Sequence, residues 1–215
     1  MPVTRRYDKR QRAQQGAETR QRIVDATVAL HESIGGPSTT VTAIAGRAGV
    51  SRLTVYRHFP DERSLLAACT STYLAANPPP DPGEWAAIGD PQIRLLDALS
   101  ELYPFYRRNQ GLLARADQEM PTNPILAEVL SGYTAAVAAM RDVLDTGWPN
   151  STGDGLLRAA IGHAVAFGTW RSLAVDQGLA DDRAADLMLR LVEASSESSF
   201  RPARGRAASA RNGTG

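Results

Sequence analysis

Ser51, Arg52, Thr54, Tyr56, Arg57 and His58 bring hydroxyls, guanidiniums, a phenol and an imidazole into one short stretch of chain. Such donors on one helix suit contact with nucleic acid. Hydroxyls and phenols bond phosphate oxygens, while arginine bonds guanine O6 and N7 through two parallel N–H groups. Catalysis asks for other patterns. His31, His58 and His163 are scattered, and Cys69 is the single cysteine. No His/Cys/carboxylate cluster has metal-ligand spacing, no glycine-rich phosphate loop follows a strand, and no Gly-x-Ser-x-Gly occurs. The chain therefore reads as a non-enzyme with neither metal nor cofactor.

The elements that must position these groups are legible around them. Val41, Ile44, Ala45 and Ala48 recur at helical spacing and define one apolar face. Ala45 lies where a second helix crosses closely. Gly49 follows at once, supplying the positive φ that ends a helix. Val50 reads as a buried turn residue, and Ser51 as the N-cap of the next helix. Leu53 or Val55 must then face inward, leaving Arg52, Thr54, Tyr56, Arg57 and His58 around an exposed face. Phe59-Pro60 stops that helix, because the residue before proline disfavours the α region. Asp61 caps a following helix through Leu65, Leu66 and Cys69. Two short helices joined by a tight turn form a helix-turn-helix, whose second helix lies in the major groove of DNA. An unspecialised helical hairpin can carry any one of these features; their combination at fixed offsets favours the DNA-binding unit.

This window resembles the tetracycline-repressor (TetR) family of bacterial transcriptional regulators. The resemblance rests on Thr40-Val-Thr-Ala-Ile-Ala45, Ala48-Gly-Val-Ser51, Thr54-Val-Tyr-Arg-His-Phe-Pro60 and Leu65-Leu66, preceded by Thr19-Arg-Gln-Arg-Ile-Val-Asp-Ala-Thr-Val-Ala-Leu30 as a first helix. It covers about residues 18–70. It implies that Arg52, Leu53, Thr54 and Arg57 face base edges or the backbone beside them, and that Thr40, Tyr56 and His58 contact phosphate, with Ser51 at the head of the same helix. For His58 a hydrogen bond inside the three-helix unit is an equal alternative. Leu53 stands where the family often has glycine, so contact with a thymine methyl is open to it. Glu62 stands where the family often has lysine. A carboxylate suits the helix dipole but repels phosphate, so that contact is not carried over.

The net charge of +1 hides an asymmetry. Residues 1–63 hold 11 Lys/Arg against 6 Asp/Glu (+5), residues 64–200 hold 9 against 17 (−8), and the last 15 carry four arginines and no acid (+4). A basic N-terminal third on an acidic body suits a DNA-facing module carried by a regulatory one. Residues 1–17, with Arg5, Arg6, Lys9, Arg10 and Arg12 and no apolar period, read as a disordered basic arm. Such an arm is either a plain solvated tail or a source of added phosphate or minor-groove contacts. No apolar leader region or membrane-spanning run is present, and one cysteine fits a reducing cytoplasm.

Asn77-Pro-Pro-Pro-Asp-Pro-Gly83 breaks the chain, since consecutive prolines forbid helix. Beyond it, helices are expected at about 91–108 (kinked at Pro104), 110–119, 123–146, 153–178 and 181–199. The 153–178 helix is apolar nearly all round, which predicts burial on most sides. Gly155, Ala159, Gly162 and Ala166 lie along one ridge; Leu187, Met188, Leu191 and Ala194 share a face of the last helix. The family resemblance implies that the last two helices form a dimer interface, for which Gly155, Ala159, Gly162, Ala166, Leu187 and Leu191 are the candidates. The resemblance also implies a small-molecule pocket within the body. Tyr103, Tyr106, Met140, His163, Phe167 and Trp170 are its candidate lining, with core packing as the competing role.

The expected fold is all-α: an N-terminal three-helix DNA-binding unit with a helix-turn-helix and a C-terminal helical ligand-binding and dimerisation bundle. The expected divisions are 1–17, arm; 18–64, DNA-binding domain; 65–200, regulatory and dimerisation domain; 201–215, disordered tail. The expected function is a cytoplasmic, homodimeric transcriptional regulator, a repressor released from a palindromic DNA operator by a small apolar effector. A DNA-binding protein without an effector, activating or non-regulatory, is the alternative.

Overall fold

A computed structural model describes residues 3–36, 38–149 and 155–197. Eleven α-helices and one π-helical turn account for its regular structure, and no strand occurs among the described residues. The N-terminal unit consists of α1 (Val3–Ile34), α2 (Val41–Ala48) and α3 (Arg52–His58), and α4 (Glu62–Ala76) leads out of it. The body consists of α5 (Pro82–Ala86), α6 (Pro91–Glu119), α7 (Pro124–Val129), α8 (Ser131–Leu144), α9 (Leu156–Ala164), α10 (Phe167–Trp170), a π turn (Arg171–Asp176) and α11 (Asp181–Glu197).

The expected caps are formed. Thr40 accepts from Ala43 N, Ser51 from Thr54 N and Asp61 from Ser64 N, heading α2, α3 and α4. Gly49 has φ 66°, and its N–H closes the end of α2. Each side chain satisfies a backbone N–H left without a partner at a helix start. Ile23, Val24, Ile44, Ala45, Val55 and Phe59 form one core, which Leu65, Ala68 and Cys69 of α4 complete.

The N-terminal segment corrects one expectation. The basic stretch read as a disordered arm continues α1 from Val3, and none of its residues from Lys9 to Ala17 is buried. Arg, Gln, Ala, Glu and Lys are all good helix formers. The bonds Gln14–Glu18 (3.1 Å) and Gln21–Asp25 (2.8 Å) link successive turns. Residues 1–2 and the 201–215 tail lie outside the described residues.

A second core fills the body, centred on Trp85, Leu99, Leu102, Tyr103, Tyr106, Leu144, Ile161 and Trp170. Arg94 is buried within it and has no carboxylate partner among the described residues. Its guanidinium donates instead to Ile88 O (2.6 Å), Thr146 O (2.8 Å) and Thr146 Oγ1 (2.6 Å), so the charge sits among carbonyl dipoles beyond the end of α8. The two helices expected at 91–108 and 110–119 are one, running through Pro104 and Gly111. The one expected at 123–146 is broken at Leu130 into α7 and α8.

The expected 153–178 helix is also broken. Ala166 is extended (ψ 134°) between α9 and α10. Tyr103 Oη donates to Ala164 O at 2.9 Å and Tyr106 Oη to Val165 O at 2.6 Å. These phenols take up carbonyls that the interrupted helical ladder leaves open.

Candidate nucleic-acid interface and cavity

Helix α3 is anchored by one residue and displays the rest. Val55 is buried against the first core, whereas Ser51, Arg52, Leu53, Tyr56 and Arg57 are exposed and Thr54 and His58 half-buried. Of the two inward candidates, the structure selects Val55. Leu53 is 78% exposed and Tyr56 53% exposed, an unusual outlay of apolar surface for a seven-residue helix. Ser51 Oγ and Thr54 Oγ1 lie 2.9 Å apart, so the two hydroxyls share a bond at the head of α3. Thr40 sits at the head of α2 and uses its oxygen as the cap, leaving its proton free to donate. The result is a surface of donors with two helix N-termini beside it, suited to a polyanion.

His58 makes no side-chain hydrogen bond among the described residues. Partial burial, then Arg57 and Arg20, hold its imidazole below the ordinary 6.5. It therefore presents a largely neutral ring in the free protein at neutral pH. Arg20 of α1 lies over the Phe59 ring, 4.6 Å from its centroid, and closes the C-terminal end of α3. Sequence reading missed this contact, because α1 and α3 are distant along the chain.

The aromatic residues expected to line a pocket are placed differently. Tyr103, Tyr106, Met140 and Trp170 are buried in the body core. Their polar tips are already bonded: the two phenols to Ala164 O and Val165 O, and the Trp170 indole to Asp181 Oδ1 at 2.9 Å. Asp181 also receives Arg107 through two bonds of 2.7 and 2.8 Å, which with Trp170 hold its carboxyl below the usual range. Phe167 packs edge-on against Tyr106, and His163 is exposed with Nδ1 3.0 Å from Thr169 Oγ1.

A cavity of about 910 Å³ lies elsewhere, between the two cores. Val28 and His31 of α1, Leu66 and Tyr73 of α4, Leu113 of α6, Leu126 of α7 and Tyr133 of α8 are among its lining. Of the six expected pocket residues, none lines it. Its walls reach Val55 and Phe59, so the space runs from beneath the recognition helix into the body. Burial pushes the Tyr133 phenol up to about 12, and its hydroxyl has no hydrogen-bond partner among the described residues. A neutral donor thus faces an apolar space large enough for a small molecule.

The expected dimer residues also divide. Ala159 and Leu156 are exposed on α9, and Leu187 and Leu191 on α11. Gly155 caps α9 at φ 80°. Gly162 faces α8, where a Cβ would come 3.3 Å from Arg141 Cδ. Ala166 sits at the break after α9, off the ridge a continuous helix would have made. On α11, Met188 turns inward with Ala184, Ala185 and Val192, away from Leu187 and Leu191.

Among the described residues no group of three or more His, Cys, Asp or Glu is placed to hold a metal, and no helix is long and apolar enough to cross a membrane.

Comparison with known proteins places this architecture. The family model for bacterial regulatory proteins of the tetR family matches residues 23–69. The HTH-type transcriptional regulator TtgW of Pseudomonas putida is 35% identical over 96 residues, 42% of this chain and 69% of its own. The HTH-type transcriptional repressor KstR of Mycobacterium tuberculosis is 30% identical over 129 residues, 60% of this chain and 52% of its own. Further mycobacterial regulators are matched over about a third of their length. In structure, a transcriptional regulator from Rhodococcus sp. RHA1 superposes with a TM-score of 0.55 at 25% identity, over 80% of this chain and 95% of its own. The matched segment holds the capped helix-turn-helix, and the structural likeness extends across the helical body: the chain belongs to the TetR family of bacterial regulators.

Proposed function

We propose that this chain is a homodimeric, sequence-specific DNA-binding repressor that a small apolar ligand releases from a two-fold symmetric operator. The observation that carries this is helix α3, held by Val55 and presenting Arg52, Leu53, Tyr56 and Arg57 to solvent. Residues 18–64 form the reading unit, and the chain from 65 onward forms the regulatory and pairing body. Arg52, Leu53, Thr54 and Arg57 meet base edges, and Thr40, Ser51, Tyr56 and His58 fix the unit on phosphates. Two copies reach successive major grooves about 34–36 Å apart. The pairing surface is the outer face of α9 and α11, where Leu156, Leu187 and Leu191 are exposed. The likeness to a repressor, KstR, supports repression as the sign.

The effector site is the cavity between the cores. A ligand there touches α1 and α4 on one side and α6 and α7 on the other. It favours whichever separation of these helices it fits, and DNA affinity falls by its differential affinity for the two arrangements.

Selection of duplexes from a random pool, followed by anisotropy titration of the winner, tests this reading. A two-fold symmetric winner that a lipophilic compound releases supports it. A symmetric winner that no compound releases means a regulator without this effector site. Enrichment of no sequence defeats the reading.

A further inference from the structure

The N-terminal part of α1 extends past the first core, and none of its residues from Lys9 to Glu18 is buried. At 100° per residue, Lys9, Arg10, Arg12 and Arg20 fall within an arc of about 160°. The same arc, continued along the helix, holds Ile23, Val24 and Thr27, the buried face of α1. Glu18 and Asp25 lie on the opposite side, where they bond Gln14 and Gln21. The side that packs on α2 and α4 in its C-terminal half carries Lys9, Arg10, Arg12 and Arg20 farther toward the N-terminus, while Glu18 and Asp25, with Arg22 near them, lie on the other side. Arg20 over Phe59 fixes this side at the C-terminal end of α3, next to His58.

We propose that this basic face is a second nucleic-acid-binding element, laid along the phosphates of the duplex flanking the bases that α3 reads. Lys9 to Arg20 span about 16 Å at 1.5 Å per residue, or about five base pairs at 3.4 Å each. Arginine and lysine with no carboxylate partner are the groups that release counterions from a duplex. The element contributes affinity and footprint length and reads no sequence. This inference rests on the DNA-binding reading of α3.

The test uses the full-length chain, the triple variant Lys9→Gln, Arg10→Gln, Arg12→Gln, and a 40-base-pair duplex of random sequence. Glutamine keeps the helix propensity of these positions, and circular dichroism checks that helix content is kept. Anisotropy titrations from 50 to 200 mM salt give the slope of log affinity against log salt. Loss of three phosphate contacts lowers its magnitude by about 2.7, so the wild type loses about 40-fold more affinity than the variant over that range. Equal slopes for the two proteins overturn the proposal and leave the DNA-binding reading intact. No binding by the wild type at 50 mM defeats that reading, and this one with it. Glu18→Gln, on the opposite side, should leave the slope unchanged; a change as large as one contact would mean bulk charge rather than this face.

Discussion

The phenol of Tyr73 donates to Asn109 Oδ1 at 2.6 Å, joining α4 to α6 along the cavity wall. Asn109 is buried and donates in turn to Phe105 O at 2.7 Å. This polar link between the helix that leaves the DNA-reading unit and the longest helix of the body is held in place from both ends.

Removing the link lowers stability. Tyr73→Phe leaves Asn109 Oδ1 without its donor and should cost about 1 kcal/mol. For a domain of this size that is about 2–4 °C in Tm, read by calorimetry. An unchanged Tm would mean that water replaces the phenol at no cost.

Under the proposed function the exposed face of α3 divides into positioning and reading groups. Tyr56→Phe should weaken binding to every duplex alike, about tenfold, as the loss of one hydrogen bond to a charged group would. Arg52→Ala should change which bases are enriched from a random pool. A uniform loss in both variants would remove the division.

The cavity, not the aromatic core, should bind apolar molecules. The neutral fluorophore N-phenyl-1-naphthylamine should brighten on the wild type. Leu66→Trp, which intrudes on the cavity, should weaken that binding at least tenfold, whereas Phe167→Leu should leave it unchanged. The reverse pattern would return the site to the residues the sequence first suggested.

Stability should fall on mild acidification. Burial first, then Arg115, lower the His31 imidazole below its ordinary 6.5, with Glu62 opposing. The unfolded chain then binds the proton more readily than the folded one. Stability is therefore full above about pH 6.5 and declines as pH drops toward the lowered folded value. His31→Gln should flatten the Tm profile between pH 7 and pH 5. A profile as steep as the wild type's would place the effect on other groups.

The outer face of α9 and α11 should control assembly. Leu187 and Leu191 are 39% and 48% exposed, so Leu187→Glu with Leu191→Glu should preserve the fold and yield a monomer by sedimentation equilibrium. A dimer of unchanged strength would move the interface elsewhere.

What could be read from the sequence follows the range of the forces involved. The caps at Thr40, Ser51 and Asp61 and the turn at Gly49 bond within three to five residues, so the residue types announce them. The roles of Tyr103 and Tyr106 depend on carbonyls 61 and 59 residues away, which no local pattern encodes. Small-residue spacing on 153–178 suggested a continuous ridge, and the break at Ala166 carries neither proline nor glycine to mark it. Gly111 and Pro104 looked like interruptions, yet α6 runs through both because its buried face holds the helix together. The N-terminal segment lacks apolar period, and its helicity comes from propensity and side-chain pairs that a search for hydrophobic faces passes over.

Leu53 carries a thermal consequence. Its side chain is kept in water throughout the free life of the protein, at 78% exposure. If a thymine methyl receives it, that hydration shell is released on docking, and association acquires a negative heat-capacity change. The apolar share of the grip on DNA then tightens on warming and slackens in the cold. Glycine at this position would lack that response, so under the proposed reading one side chain would make occupancy of a DNA site respond to temperature.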